Sequence, residues 1–109
     1  MVKAQRASDP KKIPEAELNA ALSKIAGEER PFATDLKATR ELFERLRRKL
    51  GGRGLVEIRE YFGGWIASIR HSMAEDSWIY SHGDGDTPEQ AFAGAVLAFA
   101  QEWGFDLGI

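Results

Sequence analysis

Apolar residues recur along the chain in two different periods, and these periods predict its elements. In "IPEAELNAALSKIAG" the apolar residues of Leu18–Ile25 fall on one helical stripe, and Gly27 stands where such a helix would end. A second stripe occupies Leu36–Leu50, and Thr34 or Asp35 is available as its N-cap. The sequence therefore predicts two amphipathic helices before any strand.

The next segment, "LVEIREYFGGWIASIRHS", alternates apolar and polar residues on both sides of Gly63-Gly64. This alternation predicts a β-hairpin with a two-residue turn. The turn predicts a register in which Phe62 faces Trp65 and Ile58 faces Ile69.

A third strand, "SWIYSH", follows a short polar connection. In the predicted meander it places Trp78, Tyr80 and His82 on the face that already holds Trp65 and Ile69. We interpret the aromatic residues of the strands and the last helix as core residues rather than as a stacking platform, because a small domain needs to bury such rings for stability. These residues are Trp65, Trp78, Tyr80, Phe92, Phe99 and Trp103.

The segment "TPEQAFAGAVLAFAQEWG" predicts the last helix, which Gly104 ends. Thr87 and Gln90 form a capping box, with Pro88 at the first helical position. The apolar stripe is widened by residues such as Leu97, so this helix is expected to contact neighbours on more than one side.

The resulting element order is α-α-β-β-β-α. It predicts an α+β fold with a three-stranded antiparallel meander and two helices on one face. Residues 1–12 are polar and basic without an apolar period, so we interpret them as a flexible tail. Residues 13–109 then form a single α+β domain.

Composition narrows the function classes. The chain has 109 residues and no cysteine, which excludes disulfides and thiolate metal sites. No apolar run approaches the roughly 20 residues of a membrane span, so we expect no membrane partner. Without cysteine, and with no secretory signal before the first predicted helix, we expect a cytoplasmic protein. Residues 1–54 carry 13 Lys/Arg against 8 Asp/Glu, whereas residues 55–109 carry 2 against 9. This asymmetry favours a match between the two halves, with a basic patch for an acidic partner as the alternative.

The pair Asp84 and Asp86 in "HGDGDTPEQ" suggests a metal loop. Together with His82 it offers too few ligands at the wrong spacing for a calcium loop of the EF-hand type. A turn and a helix start explain the two carboxylates better, because they lie at the positive end of a helix dipole. We therefore expect neither a metal ion nor a cofactor.

Glu60 and His82 are the one catalytic candidate. In the predicted register they lie two strands apart with the small Ala67 between them, roughly 9–10 Å between backbones. Such a pair suits a general base, but no nucleophile accompanies it. We interpret it as a polar pair at the sheet margin and predict that the protein is not an enzyme.

The second helix and the connection after it carry a basic cluster, which we define as Arg47, Arg48, Lys49 and Arg53. Part of the charge on this helix is neutralised by carboxylates at i,i+4 spacing. The remainder is a candidate contact for nucleic acid, together with the basic tail.

The motif "GGWIASI" followed by "GDGDTPEQAFAGAV" resembles the corresponding part of HicB-type antitoxins and of small accessory proteins of phages and mobile elements. The α-β-β-β-α order also resembles the double-stranded RNA-binding domain. That family places lysines at the start of its last helix, whereas this chain has acidic residues from Asp86 to Glu89, which would repel phosphates. The resemblance implies a phage or mobile-element protein that binds and inhibits a host or toxin protein.

These observations favour a non-enzymatic protein-interaction module. Free sheet edges, the apolar last helix and the reverse sheet face all offer contact surfaces. We expect the partner to be a protein, with a homodimer as the first expectation and nucleic acid as the alternative. The predicted partner-binding residues are Tyr61, Ile66, Ile79 and Leu97.

Overall fold

The computed structural model describes residues 12–104, so residues 1–11 of the predicted tail and residues 105–109 lie outside it. The chain has the predicted order of elements and an α+β fold. These elements are α1 (Glu15–Ala26), a short 3-10 turn (Phe32–Thr34), α2 (Leu36–Leu50), β1 (Arg53–Tyr61), β2 (Gly64–Ala74), β3 (Ser77–Gly85) and α3 (Pro88–Glu102).

The helices begin and end at the residues that the sequence indicates. Asp35 caps α2 by accepting a hydrogen bond from the Ala38 amide at 3.1 Å. Thr87 caps α3 by accepting one from the Gln90 amide at 3.1 Å. Gly27 ends α1 with a φ of 79°, a left-handed conformation that glycine adopts without steric cost.

The sheet is antiparallel in the order β1-β2-β3. α3 lies directly on β3 and β2 and meets β1 only slightly, while α2 and the 3-10 turn pack mainly on α3 and α1 packs on both the 3-10 turn and α3. In the core, the Phe43 ring of α2 meets Phe92 and Phe99 edge-on, with ring centroids 6.1 and 5.1 Å apart. The last helix therefore makes most of the helix contacts with the sheet, and α2 packs against that helix.

Small residues allow α3 to approach β3 at backbone distance. A Cβ atom on Gly83 would overlap the Ala91 carbonyl oxygen and the Ala95 amide nitrogen, and a Cβ on Gly85 would come within 2.7 Å of the Ala91 amide nitrogen. The small residues of α3 thus face a strand of the same chain. Leu97 is only 6% exposed, so α3 buries its apolar stripe without a second subunit.

The first hairpin turns one residue earlier than predicted. Its loop is Phe62-Gly63, and the paired residues on either side are Tyr61 and Gly64. Gly63 has a φ of 90°, which explains why a glycine stands at this position of the turn. Ile58 consequently faces Ala67 rather than Ile69, although each side chain of β1 keeps its predicted face.

The prediction for the faces of β3 is wrong. β2 continues to Ala74, and the pairing of β2 with β3 is irregular between His71 and Ala74. This bulge adds one residue to β2 and so reverses the face on which each β3 side chain lies. Ser72 supports the bulge, because its hydroxyl donates to the Ala74 carbonyl and accepts from the Ala74 amide.

Candidate interaction surfaces

β1 is the least covered element of the sheet. Eight of its nine residues are exposed, and Ile58 is the half-buried exception. Leu55 on one face is 51% exposed, and Val56 on the other is 36% exposed. β1 therefore presents both faces and its outer edge to solvent, because α3 lies mainly over β3 and β2.

The turn geometry determines which backbone groups of β1 point outward. In a hairpin with a two-residue turn, the residues next to the turn exchange backbone hydrogen bonds with each other. Tyr61 and Gly64 occupy these positions, so odd-numbered residues of β1 direct their N–H and C=O groups to β2. The even-numbered residues from Gly54 to Glu60 direct theirs to the free edge.

The side of the sheet away from α3 forms a surface that we call the open face. Of the residues predicted to bind a partner, Tyr61 is 43% exposed there and Ile66 is half-buried between Arg59 and Asp84. Ile79 instead pairs with His71 on the helix side. The open face comprises Arg53, Leu55, Glu57, Arg59, Tyr61, Ile66, Ser68, Arg70, Trp78, Tyr80, His82 and Asp84.

Arg53, Arg70 and Trp78 form what we call the arginine–tryptophan cluster at one end of the open face. The guanidinium carbons of Arg53 and Arg70 lie 6.0 and 5.8 Å from the Trp78 ring centroid. Cation–π attraction of this kind orients both guanidinium groups. Within residues 12–104 neither arginine forms a salt bridge, so their charges are available for an anion.

The predicted basic cluster is divided by the fold. Arg47 is half-buried, donates to Glu44 at 3.2 Å, and has its Cδ near Gly54 on the helix side of β1. Arg48 and Lys49 are exposed at the end of α2. Arg53 belongs to the arginine–tryptophan cluster, which the sequence does not reveal because uninterrupted alternation places Trp78 on the other face.

The opposite end of the sheet carries what we call the acidic corner, which consists of Asp84, Asp86 and the side chains that contact them. The Tyr61 hydroxyl donates to an Asp84 carboxylate oxygen at 2.7 Å, and this bond, followed by burial, raises the pKa of Tyr61. Lys12 donates to Asp86 at 2.7 Å, which raises the pKa of Lys12. The buried Gln90 accepts from the Asp86 amide and donates to the Ile13 carbonyl, both at 2.9 Å. This corner therefore anchors residues 12–13 to the start of α3.

The structure separates Glu60 from His82. Glu60 pairs with Trp65 on the helix side, whereas His82 pairs with Ser68 on the open face. His82 Nδ1 lies 3.2 Å from the Ser68 hydroxyl. The prediction of a Glu60–His82 pair is therefore wrong, because the bulge in β2 places the side chains of β3 on the opposite face from the predicted one.

Two further features of the described chain bear on candidate chemistry. No group of three metal-ligating side chains occurs in residues 12–104. A groove of about 860 Å³ lies between α1 and residues 27–31, and it contains neither Glu60 nor His82.

His71 is fully buried beside Phe99 and Trp103, with ring centroids 5.5 and 5.4 Å away. Its Nε2 lies 2.8 Å from the Gly51 carbonyl oxygen, so this nitrogen carries the hydrogen. The bond joins the α2–β1 connection to the core. We therefore assign His71 a structural role.

Comparisons with known proteins return no relative. No protein-family model matches the chain, and neither the curated proteins nor the solved structures contain a significant match. Among residues 12–104, no helix has the length and apolar content that a membrane crossing requires. The edge of β1 and the open face are the surfaces of the described residues that could carry a function.

Proposed function

We propose that the chain is a non-enzymatic protein-interaction module and that it self-associates through the free edge of β1. The observation that carries this proposal is the exposure of β1 along its edge and on both faces, including Leu55 and Val56. Exposed apolar residues beside unpaired backbone groups favour the addition of a strand. A partner strand would cover the exposed apolar residues and pair with the free backbone groups.

The two outer strands of the sheet differ in a way that supports this proposal. The outer side of β3 is approached by Lys12, which forms a parallel bridge to Asp84. β1 has nine residues, contains no proline and has no described segment along its outer edge. Proteins usually shorten, cover or interrupt such an edge, so an uncovered edge of this length favours β1 as the site of association.

A role as a phage or mobile-element accessory protein that inhibits a host or toxin protein remains part of the proposal. It depends on the sequence resemblance alone. We place this function in the cytoplasm, since a small domain without cysteine is typical of reducing compartments.

Self-association is tested by measuring solution mass across a wide range of protein concentration. The Val56 amide points to the free edge, so Val56→Pro removes an outward donor without removing a bond to β2. We expect the unchanged chain to form a dimer and Val56→Pro to be monomeric with an unchanged circular dichroism spectrum. Val56→Thr keeps the donor and is the matched control. A monomeric unchanged chain, or a dimer that Val56→Pro leaves intact, would contradict the proposal.

A second candidate function is binding of nucleic acid through the arginine–tryptophan cluster. Arg53 and Arg70 are oriented by Trp78 and form no salt bridge among the described residues. Exposed Arg48 and Lys49 add positive charge at the end of α2. A guanidinium pair beside an aromatic ring suits a single-stranded backbone.

Fluorescence anisotropy with a labelled single-stranded oligonucleotide tests this second function. If the cluster contacts phosphates, Arg70→Ala weakens binding and reduces the slope of log affinity against log salt by about one. Arg40→Ala removes one exposed charge from α2 elsewhere and should leave the slope unchanged. Equal effects of the two substitutions, or no binding at low salt, would exclude this function.

A further inference from the structure

The outer edge of β1 has a charge order that complements itself when the strand is reversed. We propose that two copies pair their β1 strands in antiparallel orientation about a two-fold axis at Ile58, so that Glu57 of each copy faces Arg59 of the other. This inference rests on the proposed self-association and specifies its partner and register.

The charges that would pair are available in the single chain. Glu57 and Arg59 lie on the open face, where their side chains are 62% and 68% exposed. Their only close ionic contact among residues 12–104 is with each other, at 3.9 Å between Arg59 Nε and a Glu57 carboxylate oxygen. Such a long and exposed contact contributes little, so both groups can take a partner from a second copy.

Backbone geometry limits the registers that two copies can use. Only even-numbered residues of β1 direct hydrogen-bonding groups outward, so the new ladder must pair even residues with even residues. Odd residues then face odd residues at the closer, non-hydrogen-bonded positions, where cross-strand charge pairs interact most strongly. The charges on the odd residues therefore decide among the permitted registers.

Neighbouring registers are penalised by like charges. A two-fold axis at Glu57 places the two Glu57 carboxylates opposite each other, and an axis at Arg59 does the same for the guanidinium groups. An axis at Val56 sets Arg53 against Arg59. An axis at Leu55 avoids like charges but overlaps only residues 53–57.

The axis at Ile58 avoids like-charge pairs over the whole overlap from Leu55 to Tyr61. It forms two Glu57–Arg59 pairs and two pairs between Leu55 and Tyr61, all on the open face. On the helix side Ile58 meets its own copy, which covers a side chain that is half-exposed in the single chain. Two sheets of three strands thereby become one sheet of six, with both helix layers on the same side.

Charge reversal tests the register. Glu57→Arg and Arg59→Glu each convert two attractive pairs into two repulsive ones, so each variant alone should dimerise roughly tenfold to a hundredfold more weakly. An equimolar mixture of the two should form heterodimers, because every arginine then meets a glutamate. The double variant Glu57→Arg/Arg59→Glu should form homodimers again. Arg40→Glu, which makes the same change in charge as Arg59→Glu on exposed α2, is the control and should dimerise normally.

Cross-linking provides an independent measurement of the register. The chain has no cysteine, so Ile58→Cys introduces a single thiol. At the two-fold axis two such residues lie within disulfide reach, so oxidation should give a covalent dimer. Glu60→Cys, which the register places opposite Val56, should cross-link poorly.

The outcomes separate the register from the proposed function. A chain that dimerises and is made monomeric by Val56→Pro, but shows neither the charge-reversal rescue nor the Ile58→Cys cross-link, would overturn the register and leave edge association standing. A chain that is monomeric at all concentrations would overturn both.

Discussion

Substitution of Gly83 by alanine is the most direct test of the contact between β3 and α3. The added Cβ would overlap the Ala91 carbonyl oxygen and the Ala95 amide nitrogen, and would lie 2.7 Å from the Gly94 carbonyl carbon. Ordinary carbon contacts are about 3.5–4.0 Å, so the helix and strand would have to separate by about 1 Å. All three contacting atoms belong to the backbone, so no side chain can rotate away.

The expected change in the free energy of unfolding is the difference between the cost of overpacking and the benefit of a less flexible unfolded chain. Overpacking of a core costs typically about 1–3 kcal/mol, and rigid backbone on both sides favours the upper end of that range. Replacing glycine by alanine also lowers the conformational entropy of the unfolded chain, which stabilises the folded protein by about 0.4–1 kcal/mol. We expect a net loss of about 2–3 kcal/mol in the free energy of unfolding, which corresponds to a Tm lower by roughly 10–20 °C.

Urea and thermal unfolding, monitored by circular dichroism, measure this loss. Gly27→Ala is the control, because its Cβ meets no atom within 4 Å and the cost is limited to the left-handed φ of 79°. That conformation costs an alanine about 1–2 kcal/mol. A Gly83→Ala protein as stable as the unchanged chain, or more stable than Gly27→Ala, would refute the close approach of α3 to β3.

Two further predictions concern the acidic corner. Gln90→Leu should lower the free energy of unfolding by about 1–3 kcal/mol, because the Asp86 amide and the Ile13 carbonyl, both in partly buried hydrogen bonds, lose their partner. Gln101→Leu, on the exposed side of α3, should change it by less than about 0.5 kcal/mol, and urea unfolding measures both. In a Tyr80→Phe background, Asp84→Ala should lower the pKa of Tyr61, measured by ultraviolet absorbance of tyrosinate. The folded pKa is raised, so the stabilisation by this contact is present below the unfolded value of about 10 and is lost as the pH rises through the folded value; an unchanged titration would contradict the contact.

The element order was predictable because each boundary has a local chemical cause. Asp35, Thr87 and Gly27 act where they stand in the sequence, and their caps need no distant residue. The hairpin was predicted within one residue. Two adjacent glycines left its turn ambiguous, and only Gly63 adopts a positive φ.

The faces of β3 were not predictable from alternation alone. One bulged residue near Ser72 reverses every later side chain, and neither Ser72 nor Met73 carries a strong sequence signal for a bulge. This single reversal explains both the loss of the Glu60–His82 pair and the unforeseen position of Trp78. A usable signal was present in Gly83 and Gly85, because alternating glycines in a strand indicate close backbone approach.

The charge asymmetry between the two halves has a partial structural account. In the acidic corner Lys12 pairs with Asp86, so one basic residue of the first half neutralises a carboxylate of the second. Arg53, the first-half member of the arginine–tryptophan cluster, has no such partner among the described residues, so the match between the two halves is incomplete there. This position is where an anionic partner would find unpaired positive charge.

The unequal cover of the sheet has a consequence for how the molecule opens. β3 is joined to α3 at backbone distance through Gly83, while β1 depends on β2 for almost all its contacts. Local opening requires least free energy where few apolar contacts must be broken, so β1 should detach while β3 and α3 stay folded. Amide hydrogen exchange would then decrease in steps across the sheet, and a second copy bound at β1 would slow exchange first in the strand that exchanges fastest alone.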